Sequence, residues 1–326
     1  MLKRRLLLAP AATLVLIASF LSAPDATATT NSLTVPRRTC GPSGGRVVAS
    51  GTPRCPSIFR QNTPPAPSPP AAVPGRWAPS AAVSWQWELT HPLDLANPAD
   101  MGTGVSTYQG TPAPDPTVYD IDGLQNPAST VAALHAAGDR VVCYIPVGAA
   151  ELYRPDFAAF PASSLGAPVA GYPNERYLNI NDPNVPRIIE DRISMCASKG
   201  FDAVEPDIDD SYASPTGFAI SQGDNVAFDT TLANYAHSLG LAWTLKNGDD
   251  PAFAAAMQAV SDLVVDEQCF EFQTCSAFNP FVAAGKPVLQ VEYNLPATSF
   301  CPQANRLNFS SQILGVELSG GRQPCR

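Results

Sequence analysis

Histidine is scarce in this chain, three residues in 326, which leaves little material for a zinc centre or an imidazole-activated serine nucleophile. No glycine-rich loop follows any strand-like run, so the chain has no cradle for the phosphates of a nucleotide. Basic residues are outnumbered, 20 Lys plus Arg against 29 Asp plus Glu, and form no stripe; this argues against nucleic acid and anionic membranes as partners. Beyond the N-terminal run, no stretch is long and apolar enough to cross a bilayer. Proline, at 34 residues, and carboxylate are what the chain has in quantity.

Residues 1–28 read as a secretory signal, with Lys3, Arg4 and Arg5 as the basic end, an apolar run over 6–21, and Ala26-Thr27-Ala28 as the cleavage site. The expected location is extracellular, with no membrane contact beyond export. Loss of the signal takes the net charge from −9 to about −11, which suits a neutral or cationic partner. Eight cysteines in an oxidising compartment, none at zinc-knuckle spacing, point to disulfides. Proximity along the chain pairs Cys40 with Cys55, Cys269 with Cys275 and Cys301 with Cys325, leaving Cys143 with Cys196. Residues 29–76, rich in Pro, Ser and Ala, read as an extended linker containing a small disulfide loop.

From residue 77 to 326 the texture changes to alternating strand-like and helix-like runs. Strands are expected over 84–89, 117–122, 140–147, 201–208, 241–247, 262–268, 287–293 and 313–318, and helices over 127–137, 185–199, 225–239, 251–260 and 277–284. Several helices stop on a glycine that leads straight into the next strand, at Gly138, Gly200, Gly240 and Gly285. Eight such units with right-handed crossovers give a (β/α)8 barrel of the TIM type, with a doubly wound open sheet as the alternative. The pattern breaks in two places: 90–116 is too rich in Pro and Gly for a good helix, and 151–184 is an insertion after the third strand.

The stretch that organises the rest is Gly200-Phe201-Asp202-Ala203-Val204-Glu205-Pro206-Asp207-Ile208-Asp209-Asp210, an apolar strand running into five carboxylates within nine positions. Clustered carboxylates repel one another and lose hydration, so they cost stability unless they hold a metal, a sugar or a shared proton. In a β/α barrel the C-terminal strand ends converge over one mouth. Polar residues collected there are Glu88, Asp120 and Asp122, Tyr144, Glu205 and Asp207, Lys246 and Asn247, Asp266 and Glu267, Glu292 and Tyr293, and Glu317. By alternation, Glu205 shares the face of Asp207 one layer deeper, Thr244 shares that of Lys246, and Asp266 turns to the helices while Glu267 faces in. Carboxylates with a lysine and tyrosines, and no histidine, suit glycoside hydrolysis, which needs one carboxylic acid and one carboxylate at fixed separation. Asp207 and Glu267 are placed as that pair, with Lys246 between them separating their pKa values. Trp85 or Trp87, Tyr144, Tyr153 and Tyr293 could stack on sugar faces, while His135 and His237 sit where helix C-termini are capped.

The chain from Trp77 onward resembles the endo-α-1,4-polygalactosaminidase family of glycoside hydrolases. The matching pieces, in family order, are Ser84-Trp-Gln-Trp-Glu-Leu89, Val118-Tyr-Asp-Ile-Asp122, Val141-Val-Cys-Tyr-Ile145 with Gly148 and Glu151, the Gly200 to Asp207 segment, Leu245-Lys-Asn247, Glu267-Gln-Cys-Phe270 with Cys275, and Gly285-Lys-Pro-Val288 with Val291-Glu-Tyr293. The resemblance implies a (β/α)8 barrel that cleaves α-1,4-linked galactosamine polymers by a retaining course, with Asp207 as nucleophile and Glu267 as acid/base. Asp122, Tyr144, Glu151, Asp210, Lys246, Asn247, Glu292 and Tyr293 are then expected to bind substrate, without metal or cofactor. A cationic amino-sugar polysaccharide fits the acidic mouth. The family's Glu/Asp-Pro-Asp-Asn-x-Asp-Gly-Tyr run is altered here: Ile208 replaces the Asn and Ser211 the Gly, while Asp210 and Tyr212 are kept. A carbohydrate-binding barrel without turnover, or a hydrolase of another glycan, are the competing readings.

Overall fold

Eight parallel strands follow one another in chain order, each hydrogen-bonded to the one before. They are β1 (Trp85–Glu88), β2 (Val118–Asp122), β3 (Arg140–Pro146), β4 (Ala203–Asp207), β5 (Ala242–Lys246), β6 (Leu263–Glu267), β7 (Val288–Glu292) and β8 (Ser310–Ile313). This computed structural model describes residues 75–326; the expected signal, most of the linker and the Cys40–Cys55 pair lie outside the described residues. A doubly wound sheet would reverse its strand order partway. The unbroken sequence β1 to β8 instead curls the sheet, with helices outside, into the (β/α)8 form.

Alternation divides the side chains into two cores. Trp85, Trp87, Val142, Tyr144, Val265 and Val291 pack with their neighbours inside the barrel. Their alternates, among them Ile121, Val141, Cys143, Val204 and Trp243, pack outward against helices Ala128–Ala137, Val185–Lys199 and Gln222–Ser238. Gly200 closes the second of these helices at φ 90°, returning N–H groups to the carbonyls of Ala197 and Cys196 before β4 starts. Disulfides join Cys143 to Cys196, Cys269 to Cys275 and Cys301 to Cys325. Cys143–Cys196 ties β3 to the helix that feeds β4.

Three elements differ from expectation. The eighth strand is the polar Ser310–Ile313 rather than 313–318, so Glu317 does not end a barrel strand. A helix, Ala297–Arg306, precedes it with Pro302 in its interior. The insertion after β3 is a three-stranded antiparallel sheet of Ala149–Glu151, Leu165–Val169 and Tyr172–Leu178. Between β1 and β2 the only α-helix among the described residues is the four-residue Pro98–Met101, in keeping with the Pro and Gly content there.

The seam between β1 and β8 is closed by side chains and by the C-terminal segment. Trp85 Nε1 donates to the Ser310 carbonyl at 2.8 Å, and the Val83 N–H donates to Ser310 Oγ at 3.2 Å. The Leu89 N–H donates to the Leu318 carbonyl at 3.1 Å, and Glu88 pairs antiparallel with Ser319. Arg322 then donates to the Gly102 carbonyl, Ser84 Oγ and the Pro114 carbonyl, stapling the start of β1 to the loop that follows it.

Candidate active site

Three consecutive strands carry the site, and each ends on its inward polar residue: Asp207 on β4, Lys246 on β5 and Glu267 on β6. The next residue in every case takes a left-handed backbone, Ile208 at φ 63°, Asn247 at φ 54° and Gln268 at φ 66°. The chain turns away at once and leaves the three side chains at the strand tips. Asn tolerates this conformation; a β-branched residue does not, and Ile208 incurs about 1–2 kcal/mol for it. Its side chain is buried with Ala149, Val169 and Tyr177 of the inserted sheet, worth about 1.5–3 kcal/mol, which offsets the strain. Gly148 is needed beside it, because a Cβ there would overlap the Ile208 carbonyl.

The Lys246 ammonium is the centre of the site. It is buried and lies 2.8 Å from Glu205 Oε1, 3.2 Å from Glu267 Oε2 and 3.6 Å from Asp207 Oδ1, with the Trp87 ring 4.5 Å away at its centroid. Burial alone would lower its pKa, but the charges of Glu205, Glu267 and Asp207 hold it well above the usual lysine range. Two oxygens at 3.6 and 3.2 Å from one nitrogen are at most about 7 Å apart, so the two carboxylates face one space above the ammonium.

Glu267 is further fixed by donors on both oxygens. Asn247 Nδ2 reaches Oε2 at 3.0 Å and the Tyr293 hydroxyl reaches Oε1 at 2.8 Å, while the Glu267 N–H donates to Asn247 Oδ1 at 2.9 Å. Burial pushes this carboxyl up, while the Lys246 ammonium, chiefly, and the Asn247 amide pull it down, and the balance lies below the ordinary glutamate value. Asp207 Oδ2 accepts from the Tyr144 hydroxyl at 2.9 Å, and its carbonyl accepts from the Val147 and Gly148 N–H groups. Burial and the adjacent carboxylate push each phenol well above its usual pKa, Tyr144 beside Asp207 and Tyr293 beside Glu267, so both remain donors. Asp209 Oδ2 accepts from the Lys246 N–H at 3.0 Å, bracing β5 from the loop after β4.

The other expected site residues are held by partners of their own. Asp122 and Glu151 are buried and engaged by Arg154, which sends Nη1 and Nη2 to Asp122 at 3.2 and 2.5 Å and Nε to Glu151 at 2.5 Å. Burial would lower the pKa of Arg154, but the two carboxylates raise it. Tyr153, 54% exposed, donates its hydroxyl to Glu151 and lies over the Arg154 guanidinium. Asp210 sits half-buried at the start of the turn Ser211–Ala213. Glu292 faces the helices rather than the mouth, because Leu289 and Val291 take the inward positions of β7. There it accepts from the Phe270 N–H and Gln290 Nε2, and burial pushes it up to about 7. Glu88 likewise faces outward and accepts from the backbone of Thr90 and His91, whose ring also bonds Asp100. Asp266 is turned away from the mouth as alternation requires, accepting from the Cys269 N–H. Sequence reasoning missed Arg154; its position three residues after Glu151 was the available signal.

Two carboxylates, an ammonium and two phenols at one barrel mouth can protonate a glycosidic oxygen and attack or hydrate an anomeric carbon. Residues 66–326 match the profile of glycoside-hydrolase family GH114. Among solved structures, the chain is similar to Ega3 of Aspergillus fumigatus, solved in complex with galactosamine, at 32% identity over 77% of this chain and 98% of that one, with a TM-score of 0.68. It shares its fold with the glycoside hydrolase domain of PelA from Pseudomonas aeruginosa, at 13% identity over 72% of this chain and 96% of that one, with a TM-score of 0.53. Comparison with curated proteins returns no match. The chain belongs to glycoside-hydrolase family GH114, the endo-α-1,4-polygalactosaminidase family that its motifs resemble.

Proposed function

We propose that this is a secreted endo-acting hydrolase of α-1,4-linked galactosamine-containing polysaccharide, working by a retaining mechanism with Asp207 as nucleophile and Glu267 as acid/base. The observation that carries the reading is the convergence of both carboxylates on the single buried ammonium of Lys246, in a chain whose relative Ega3 was solved with galactosamine. In the first step Asp207 attacks the anomeric carbon while protonated Glu267 gives its proton to the departing oxygen, forming a glycosyl ester. In the second, Glu267 takes a proton from water, whose oxygen displaces Asp207 and restores both carboxyls. Tyr144 holds the Asp207 oxygen, and Tyr293 with Asn247 aims Glu267. Export is supported by the three disulfides and by the signal-like N-terminus. Acidic composition favours a cationic polymer as partner.

Mass-spectrometric product analysis on fully deacetylated and on acetylated galactosaminoglycan tests the proposal. Internal cleavage of the deacetylated polymer into a ladder of oligosaccharides is the expected result. Binding without products would place the chain among carbohydrate-binding barrels, and cleavage confined to acetylated polymer would overturn the substrate assignment.

A further inference from the structure

One layer below the catalytic tips lies a second pair of carboxyls that the mechanism above does not use. Asp120 on β2 is fully buried, and no N–H or O–H donor reaches either of its oxygens. Within hydrogen-bonding reach is the carboxyl of Glu205 on β4, itself fully buried. Glu205 differs in having donors: Trp87 Nε1 at 3.1 Å on Oε2 and Lys246 Nζ at 2.8 Å on Oε1. An ionised carboxylate with no donor costs several kcal/mol in a barrel interior, whereas one carrying a proton can donate it to its neighbour.

We propose that Asp120 and Glu205 hold one proton between them, and that the single negative charge they keep beneath Lys246 is a positioning device that sets how strongly the ammonium bears on Glu267. The proposal rests on the reading of Glu267 as the acid. Burial and the Glu205 charge push Asp120 well above the ordinary aspartate range, which agrees with Asp120 as the proton's home. Lys246 then divides its charge between a fixed anion below and the catalytic pair above. Without the lower anion, the ammonium would act on Asp207 and Glu267 alone and drive Glu267 further toward its ionised form. The groups that bear on this balance are Asp120, Tyr144, Asp207, Lys246 and Tyr293 around Glu205, and Lys246, Asp207 and Tyr293 around Glu267, with Trp87 contributing an uncharged donor.

Two measurements on the full chain with disulfides intact test this. Infrared spectroscopy at neutral pH should show a neutral carboxylic-acid carbonyl band that Asp120→Asn removes; persistence of every such band in the variant would overturn the shared proton. Glu205→Gln should move the basic limb of the kcat/KM–pH profile on galactosamine polymer to lower pH by roughly one unit or more. Trp87→Phe, which withdraws the indole N–H from Glu205 and part of the ring face from Lys246 while keeping both charges, is the milder variant and should shift the limb in the same direction. Limbs unmoved in both variants would overturn the positioning role. If the parent does not cleave galactosamine polymer, the functional reading fails, while the infrared band still decides the proton.

Discussion

Asn247 and Glu267 hold each other twice: the side-chain amide donates to the carboxylate at 3.0 Å, and the Glu267 backbone N–H returns a bond to the Asn247 oxygen at 2.9 Å. Backbone and side chain of the acid/base candidate are thus fixed by one residue just past the end of the neighbouring strand. Asn247→Ala should lower kcat/KM on galactosamine polymer by about 10–100-fold, since small displacements of a catalytic group are costly in rate. Steady-state kinetics checks it, with kcat expected to carry most of the loss.

Asp207→Asn and Glu267→Gln should each reduce turnover by about a hundredfold or more. Each also takes one carboxylate from the buried Lys246 ammonium, so the melting temperature should fall, though less than when the ammonium itself is removed. Since Lys246 holds Glu267 below the ordinary range, the acid form is depleted early as pH rises, and the basic limb of the parent's kcat/KM profile should fall on the acid side of neutral. A limb well above neutral would remove Glu267 from the acid role.

Lys246→Met strands Glu205, Asp207 and Glu267 without their ammonium. Breaking a buried ion pair from one side costs about 3–5 kcal/mol, so the variant should melt well below the parent at neutral pH as well as lose activity. The sequence places Lys246 between Asp207 and Glu267; the fold adds its third and nearest partner, Glu205. The deficit should depend on pH. In the parent, the lowered Glu267 pKa contributes stability above the unfolded-chain value, lost as pH falls through the folded value. In the variant the stranded carboxyls are raised, so their contribution is present at low pH and lost as pH rises. Melting curves across acid to neutral pH should show the gap narrowing on acidification; a constant gap would contradict the network.

Arg154→Met leaves Asp122 and Glu151 buried without their guanidinium. The expected loss is again about 3–5 kcal/mol by urea denaturation. Arg154→Lys should recover only part of it, because an ammonium cannot match the two-pronged contact with Asp122.

Much of this was legible in the chain because helix stops and strand periodicity are local signals. The run 185–199 was placed residue for residue, since Gly200 marks its end unambiguously. The eighth strand was misplaced because Ser310-Ser-Gln-Ile313 is polar, whereas the alternating apolar residues just after it imitate a strand. The helix Ala297–Arg306 was hidden by Pro302, which ordinarily breaks a helix interior. At the site, alternation correctly set Glu205 beneath Asp207, but it could not choose between adjacent Glu292 and Tyr293 without knowing which face of β7 was inward. Arg154 and Asn247 as partners of carboxylates depend on segments returning from elsewhere in the fold, and no periodicity encodes that.

The staple made by Arg322 also bears on the order in which the molecule can assemble. A ribosome releases the chain from one end, and β1 emerges more than two hundred residues before the guanidinium that ties its start to the Gly102 and Pro114 carbonyls. Until Leu318 and Arg322 are out, β1 has β2 on one side and lacks these C-terminal ties. Barrel closure is therefore a late event during synthesis, and a nascent chain stalled before residue 318 should leave that edge accessible to a chaperone.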